Sequence, residues 1–285
     1  MPIPAAQTYN FTVQATDSSG NFGQQPFSLV VFELQVTNAG TTLNPGDCAS
    51  ISATPSMPVL AAVLNSNPPL SGTVTWSLSV QYTGPDSPPA MFGPYTFTPT
   101  AGIPATQPWN ISFGTQLVGG TATLTYTYMG TMNNAYPFSL CINGTNPNQS
   151  TVLGYLGTNP WFLPKIASVE SGFQQFCLMP SGCLNGASSG QPFWTQEPSN
   201  PQPSHDFGLM QINRIQYPQL FSVLDLFSWQ RNTNDGIRIL NGKPKSGATA
   251  SWNNSVSLYQ QYATMHGGNP PPTGQRCVSV LYLQL

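Results

Sequence analysis

The sequence predicts a multidomain protein in which an all-β sandwich precedes a second part that contains a helix, and three observations lead to this prediction. Alternating, β-branched and Thr-rich runs separated by turn residues fill the first half. All seven Lys and Arg residues lie beyond position 164. The apolar residues of 164–173 fall at helical spacing. We therefore expect three divisions, at residues 1–34, 35–154 and 155–285.

The strand prediction depends on four runs in the first half. They span residues 9–15, 27–36, 72–82 and 120–128. Residues 35–154 have the length of one complete sandwich. Such a module either spaces a neighbouring domain from a surface or binds a polymer, and both roles stay open.

The start of the chain resembles the closing hairpin of bacterial Ig-like or cadherin-like repeats. The resemblance lies in the run YNFTVQATDSSGN, from residue 9, and in FSLVV, from residue 27. It implies a partial hairpin over residues 1–34 and an Ig-like sandwich over 35–154. Because about thirty residues cannot bury an adequate core alone, either the chain begins inside a longer repeat protein or the hairpin docks on its neighbour.

Two short motifs point to sugar-bond cleavage. Glu170-Ser171-Gly172 is separated by thirty-five residues from Gly208-Leu-Met-Gln211. Residues 164–173 are predicted to form a short helix that Gly172 closes, with Glu170 near its end. A glycosidase needs an acid that keeps its proton near neutral pH, and burial against the apolar turn would raise the Glu170 pKa above its usual value of about 4.3. The alternative is a solvated surface Glu.

The order and spacing of these motifs resemble the lysozyme-like lytic transglycosylases and goose-type lysozymes over about residues 155–270. The segment WQRNTNDGIRIL, from residue 229, is similar to a helix of that family that begins after an Asn and carries a Gly-Ile pair. Tyr262 is our preferred counterpart of the family's late-helix Tyr, with Tyr259 as the alternative. The resemblance implies a mainly α lysozyme-like domain that cleaves the bond between N-acetylmuramic acid and N-acetylglucosamine in peptidoglycan.

Within that resemblance, Glu170 is the general acid and base. Gln211 and Tyr262 position the sugar or the acid, and Ser171 and Met210 shape the pocket. A transglycosylase needs no second carboxylate, because the muramic C6 hydroxyl attacks and gives a 1,6-anhydro product.

A hydrolase commonly uses a second carboxylate. Goose-type members carry an Asp just after the Gly-Leu-Met-Gln turn, where this chain has Asn213, so the sequence favours the transglycosylase. Asp206 and Glu197 are the possible substitutes. A non-catalytic carbohydrate-binding or adhesion protein is the rival from another class.

The five cysteines predict an oxidising compartment. A bridge between Cys48 and Cys141 would staple the sandwich. Cys177 and Cys183 are close enough to pair, although either of them pairing with Cys277 stays open. The cysteine and histidine spacing fits no zinc pattern, and we expect no metal or cofactor.

Charge and hydropathy exclude several partners. There is no basic cluster with interleaved aromatic residues, so nucleic acid is not an expected partner. There is no transmembrane run, and the first residues lack a secretory signal. The low charge, 6% of residues, and the repeat-like start indicate an extracellular, periplasmic, cell-surface or virion-associated protein.

Overall fold

The computed structural model describes residues 7–82, 93–128, 131–132, 137–157, 163–177, 190–192, 194–196, 203–219 and 222–242. By compactness the chain divides into Met1–Gly236 and Ile237–Leu285. The described part of the second unit is 237–242, the end of a helix.

The strands are, in chain order, β1 (Gln7–Thr16), β2 (Phe22–Asn38), β3 (Thr41–Leu43), β4 (Cys48–Ile51), β5 (Leu60–Ser66), β6 (Thr73–Gln81), β7 (Tyr95–Phe97), β8 (Ile103–Pro104), β9 (Trp109–Asn110), β10 (Gly120–Tyr128), β11 (Thr131–Met132), β12 (Phe138–Gly144), β13 (Trp194–Gln196), β14 (Pro203–Phe207) and β15 (Ile212–Asn213). The helices are α1 (Gln149–Leu156), α2 (Leu163–Glu170), α3 (Val223–Phe227) and α4 (Trp229–Gly242).

Two sheets form a sandwich. The first has the order β1-β2-β5-β9, with β3 also paired to β2, and the second has the order β4-β12-β10-β6-β7, with β11 on β10 and β8 on β6. Buried and less buried residues alternate along β6, so one face of that strand points inward. Trp76 on β6 stacks on Trp109 of β9 at a centroid distance of 6.2 Å, which joins the two sheets at the core.

All four strand predictions correspond to observed strands, β1, β2, β6 and β10. Cys48 and Cys141, the pair expected from sequence, form a disulfide bond. They lie directly opposite each other where β4 and β12 run parallel. The bond therefore fixes the edge strand to the sheet.

The β1–β2 hairpin extends from the first sheet. Its strands pair over their full length, from Gln7 opposite Val31 to Thr16 opposite Phe22. Residues 9–29 are exposed, and β2 continues past them into the sandwich to pair with β5. The base of the predicted hairpin module meets the sandwich: Phe32 packs edge to face against Tyr126 and Tyr128, at 6.2 and 5.8 Å, and Thr8 Oγ1 donates to the Asn67 carbonyl at 3.1 Å.

The helical segments pack directly on the sandwich. Trp229 at the start of α4 donates from its indole Nε1 to the carbonyl of Ala53 at 2.7 Å. The ring of Phe227 meets Tyr82 edge to face at 5.7 Å and lies where a side chain on Gly119 would be. Burial of these large side chains explains why the short helix α3 is stable in this place.

The predicted fold class, an all-β sandwich followed by a mainly α lysozyme-like domain, is wrong. The structure is mostly β-sheet, with 43% strand and 18% helix, and its described residues hold four helices. Three of these have five to eight residues. A three-stranded sheet, β13-β14-β15, occupies part of the region expected to be helical. The predicted helix at 164–173 is present but ends at Glu170, since Gly172 and Phe173 take positive φ values of 61° and 65°.

Candidate active site

Glu170 is the last residue of α2 and is half-buried. The helix anchors itself through Leu163 and Ala167, which are both buried. Beyond Glu170 the backbone NH groups of Gly172 and Phe173 still donate to carbonyls of the last turn, at 3.2 and 3.1 Å. The left-handed residues at this end turn the chain sharply, so that Glu170 sits at a fixed corner.

Ser171 ties that corner to the Gly208–Gln211 turn. Ser171 is 5% exposed, and its hydroxyl donates to the carbonyl oxygen of Leu209 at 2.8 Å. The hydroxyl oxygen in turn accepts the backbone NH of Gln174 at 3.2 Å. The two sequence motifs, far apart along the chain, are therefore in contact through the residue next to Glu170.

Gln175 provides a second connection to the turn. Its side-chain Oε1 accepts the backbone NH of Leu209 at 3.0 Å, and its Nε2 donates to the carbonyls of Asp225 and Leu226, each at 2.8 Å. The side chain is fully buried. Because every polar atom of this amide is used, Gln175 bonds the turn to α3 without an unsatisfied group.

Asn232 on α4 provides a third connection. Its Oδ1 accepts the backbone NH of Met210 at 2.7 Å, and its Nδ2 donates to the carbonyl of Phe207 at 3.0 Å. It is also fully buried. We call Ser171, Gln175 and Asn232 the turn clamp, since together they bind the backbone on both sides of Gly208.

Gly208 is required by this arrangement for two reasons. Its φ of +76° lies in the left-handed region, which favours glycine. A Cβ at this position would lie 2.6 Å from Asn232 Nδ2 and 2.7 Å from Gln175 Nε2. The clamp amides thus approach the backbone as closely as they do because no side chain is present.

Gln211 and Met210, the two predicted pocket residues of the turn, make contacts within the fold. Gln211 donates from Nε2 to the carbonyl of Gly208 at 2.8 Å, which closes the turn on itself. Met210 is 7% exposed and packs against Gly236 of α4, where an added Cβ would lie 2.8 Å from the Met210 Cβ.

Asp206 is the carboxylate whose negative charge acts on Glu170. It lies on β14, opposite Asn213 of β15. Burial raises the pKa of Glu170, and the negative charge of Asp206 raises it further. A carboxyl group at the end of α2 is therefore biased towards its protonated form, which is the property that a general acid needs.

Two further carboxyl groups are buried, one on α3 and one on α4. Asp225 and Asp235 are both fully buried. Asp225 accepts hydrogen bonds from Ser222 N (2.7 Å) and Oγ (2.8 Å) at the start of α3, while Arg231 Nε lies 2.6 Å from Asp235 Oδ2. Burial raises the pKa of Asp225 to about 6, with Asp235 adding to the rise and the Ser222 bonds opposing it.

Several predicted residues lie outside the described residues. These are Tyr259, Tyr262, Glu197 and Cys183. Cys177 is disulfide-bonded, and its partner is also outside the described part of the chain. The predictions for these residues stay predictions.

Within the ranges given above, no group of three or more His, Cys, Asp or Glu side chains is arranged to hold a metal ion. In the same part of the chain, no helix combines the length and apolarity needed to cross a membrane.

Comparisons with known proteins add no family. No protein-family model matches the sequence, and no curated protein and no solved structure is significantly similar to it. The assignment of a function therefore depends on the geometry around Glu170.

Proposed function

We propose that this protein cleaves the β-1,4 bond between N-acetylmuramic acid and N-acetylglucosamine in peptidoglycan, with Glu170 as general acid and base. The observation that supports this most is the environment of Glu170. It is half-buried at the end of α2, its pKa is raised by burial and by Asp206, and Ser171 holds it beside the Gly208–Gln211 turn. Most glycosidases use two catalytic carboxyl groups that lie in different environments.

The chemistry begins with protonated Glu170. Its carboxyl proton passes to the glycosidic oxygen as the bond from that oxygen to the muramic C1 breaks, and the bonding electrons stay on the leaving oxygen. The resulting carboxylate then serves as a base for the group that attacks C1. A lytic transglycosylase and a hydrolytic lysozyme share this first step and differ in the attacking group.

The rigid support of Glu170 also favours catalysis over binding alone. The turn clamp fixes the backbone from Phe207 to Met210 through Ser171, Gln175 and Asn232. An acid that must meet a glycosidic oxygen within hydrogen-bond distance needs such fixed geometry. Predicted contacts of the sugar with Tyr259 and Tyr262 belong to the same proposal.

The proposed site of action is the bacterial wall, reached from an extracellular, periplasmic, cell-surface or virion-associated location. The Cys48–Cys141 disulfide supports an oxidising compartment. The proposed role of the sandwich is to space the catalytic part or to bind the wall.

The test is the release of soluble fragments from purified peptidoglycan by wild type and by Glu170→Gln. The variant keeps the shape of the side chain and removes the transferable proton, so release should fall by at least about 100-fold while wall binding persists. Glu33→Gln is a matched control, because Glu33 is an exposed acid on β2, far along the chain from Glu170. Wall binding by wild type without any release would instead favour the non-catalytic binding protein.

A further inference from the structure

One face of the β1–β2 hairpin carries an apolar stripe. Tyr9, Phe11 and Val13 are two residues apart along β1, so their side chains lie on the same face. The register places Leu29 opposite Tyr9 and Phe27 opposite Phe11, which brings both to that face. Each of these five residues is between 43% and 54% exposed. We call the five residues the hairpin stripe.

The other face of the hairpin is mostly polar. Gln14 and Gln24 lie opposite each other there, and Gln24 Nε2 donates to Gln14 Oε1 at 2.8 Å. Phe22 lies opposite Thr16 on this face and is 65% exposed. The remaining positions of β1 on this face are Thr8, Asn10 and Thr12. The hairpin is therefore amphipathic, and the stripe is the side that a second layer of structure would cover.

The hairpin has the form of a two-stranded ribbon. Its ten residue pairs run from Gln7 opposite Val31 to Thr16 opposite Phe22, and residues 9–29 are exposed. A two-stranded ribbon is marginally stable in water unless its apolar face packs on another element. The stripe thus needs a partner that supplies apolar surface.

The charges near the stripe do not favour a charged partner. Asp17 is the one charged residue between positions 7 and 31. It lies at the turn, where its carboxylate accepts the backbone NH groups of Ser19 and Asn21, each at 2.9 Å. Complementary charge selects charged partners, and like charges repel. The stripe carries neither, so an identical stripe can approach it without electrostatic repulsion.

The two phenylalanine rings at the centre of the stripe favour an apolar layer over a sugar. Phe11 and Phe27 stack on each other, with ring centroids 5.8 Å apart and ring planes 18° from parallel. One face of each ring is therefore turned towards the other ring. A sugar stacks on an open aromatic face, whereas the side chains of two packed sheets interdigitate.

The exposed area of the stripe is in the range of a reversible protein interface. A large aromatic side chain buries about 150–250 Å², so at these exposures the stripe offers on the order of 400 Å² of apolar surface. Two stripes together bury roughly 800 Å², and their polar margins bring the total close to the lower end of specific interfaces, about 1,200 Å².

We propose that the hairpin stripe is a self-association surface, on which the stripe of a second copy of this chain packs face to face about a two-fold axis. Each copy then provides the layer that the other lacks, with the Phe11–Phe27 pairs at the centre. The inference goes beyond the proposed function and is independent of it, since no residue of the candidate active site takes part.

The first test is sedimentation velocity of the full chain from about 1 to 200 μM, where a weak interface of this size associates. Wild type should convert from monomer to dimer. The Phe11→Thr, Phe27→Thr double variant should raise the dissociation constant at least about 100-fold. Because Thr favours strands, the hairpin should persist, and thermal unfolding at low concentration should match wild type. Phe22→Thr is the matched control on the other face and should dimerise as wild type does.

The second test locates the contact without removing an aromatic side chain. Packed sheets lie about 10 Å apart, so a bis-maleimide linker of about that length should join two copies of Val13→Cys. Thr12→Cys, one position away on the polar face, should give no more cross-linked dimer than wild type.

Three results would overturn the inference. Wild type could remain monomeric at every concentration, or the double variant could dimerise as well as wild type. Equal cross-linking by Val13→Cys and Thr12→Cys would place the contact elsewhere than on the stripe. Among these, a monomeric wild type whose double variant no longer binds purified peptidoglycan would identify a polymer as the occupant of the stripe.

Discussion

Gly208→Ala tests the turn clamp directly. Alanine at a φ of +76° costs roughly 1–2 kcal/mol. The new Cβ would lie 2.6 and 2.7 Å from the amide nitrogens of Asn232 and Gln175, so at least one amide must move. Each buried hydrogen bond that is lost costs about 1 kcal/mol, and each amide makes at least two of them. The expected loss in the free energy of unfolding is therefore about 3–4 kcal/mol.

Urea denaturation measures this loss, and two other glycines serve as controls. Gly172 also has a positive φ, +61°, but an added Cβ meets nothing within 4 Å. Gly172→Ala should therefore cost only the backbone strain, roughly 1–2 kcal/mol. Gly154 in α1 has neither the strain nor a close neighbour, so Gly154→Ala should be neutral or stabilising by up to about 1 kcal/mol. If Gly208→Ala loses no more than Gly172→Ala, the clamp does not hold the turn as described.

Three further predictions follow from burial, charge and covalent linkage. The pKa of Asp225 in the folded protein, about 6, lies above its usual value of 3.8, so folding stability should fall as the pH rises through about 6. In urea denaturation between about pH 4 and pH 8, the free energy of unfolding of the wild type should fall by at most about 3 kcal/mol, and Asp225→Asn should remove this fall. If Asp225→Asn keeps the pH profile of the wild type, Asp225 is not the cause of the fall. The fragment-release rate should fall as the pH rises through the raised pKa of Glu170, and a rate that rises instead would exclude this residue as the acid. The Cys48→Ala, Cys141→Ala double variant lacks the disulfide bond between residues 93 positions apart. Its free energy of unfolding should be about 2–5 kcal/mol lower than that of the oxidised wild type, as measured by thermal and urea unfolding.

The strands of the sandwich and the existence of α2 could be predicted because their signals are local. Alternation of side chains along residues 72–82 follows from a sheet with one buried face, and β6 spans Thr73–Gln81. The helical spacing of the apolar residues before Glu170 predicted α2, and Gly172 predicted the end of this helix to within two residues. The predicted fold class was wrong because it was extended from two short motifs to a whole domain, whereas the described region beyond residue 154 combines α4 and shorter helices with a three-stranded sheet.

The support of the site could not be predicted, because burial of a polar residue leaves no trace in the sequence. Gln175 and Asn232 look like ordinary surface amides until the positions of their neighbours are known, yet both are fully buried and bind the turn. The place of Asp206 opposite Asn213 depends on the strand register, which is set by pairing across the chain. The sequence alone showed only that Asp206 lies two residues before Gly208.

Mass spectrometry of the fragments released from purified peptidoglycan by wild type and by Glu170→Gln tests the central claim most directly. The account predicts muropeptides cut between N-acetylmuramic acid and N-acetylglucosamine from wild type, and none above background from a folded, wall-binding Glu170→Gln protein. Release of the same fragments by both proteins at similar rates would contradict it, since the acid would then lie elsewhere.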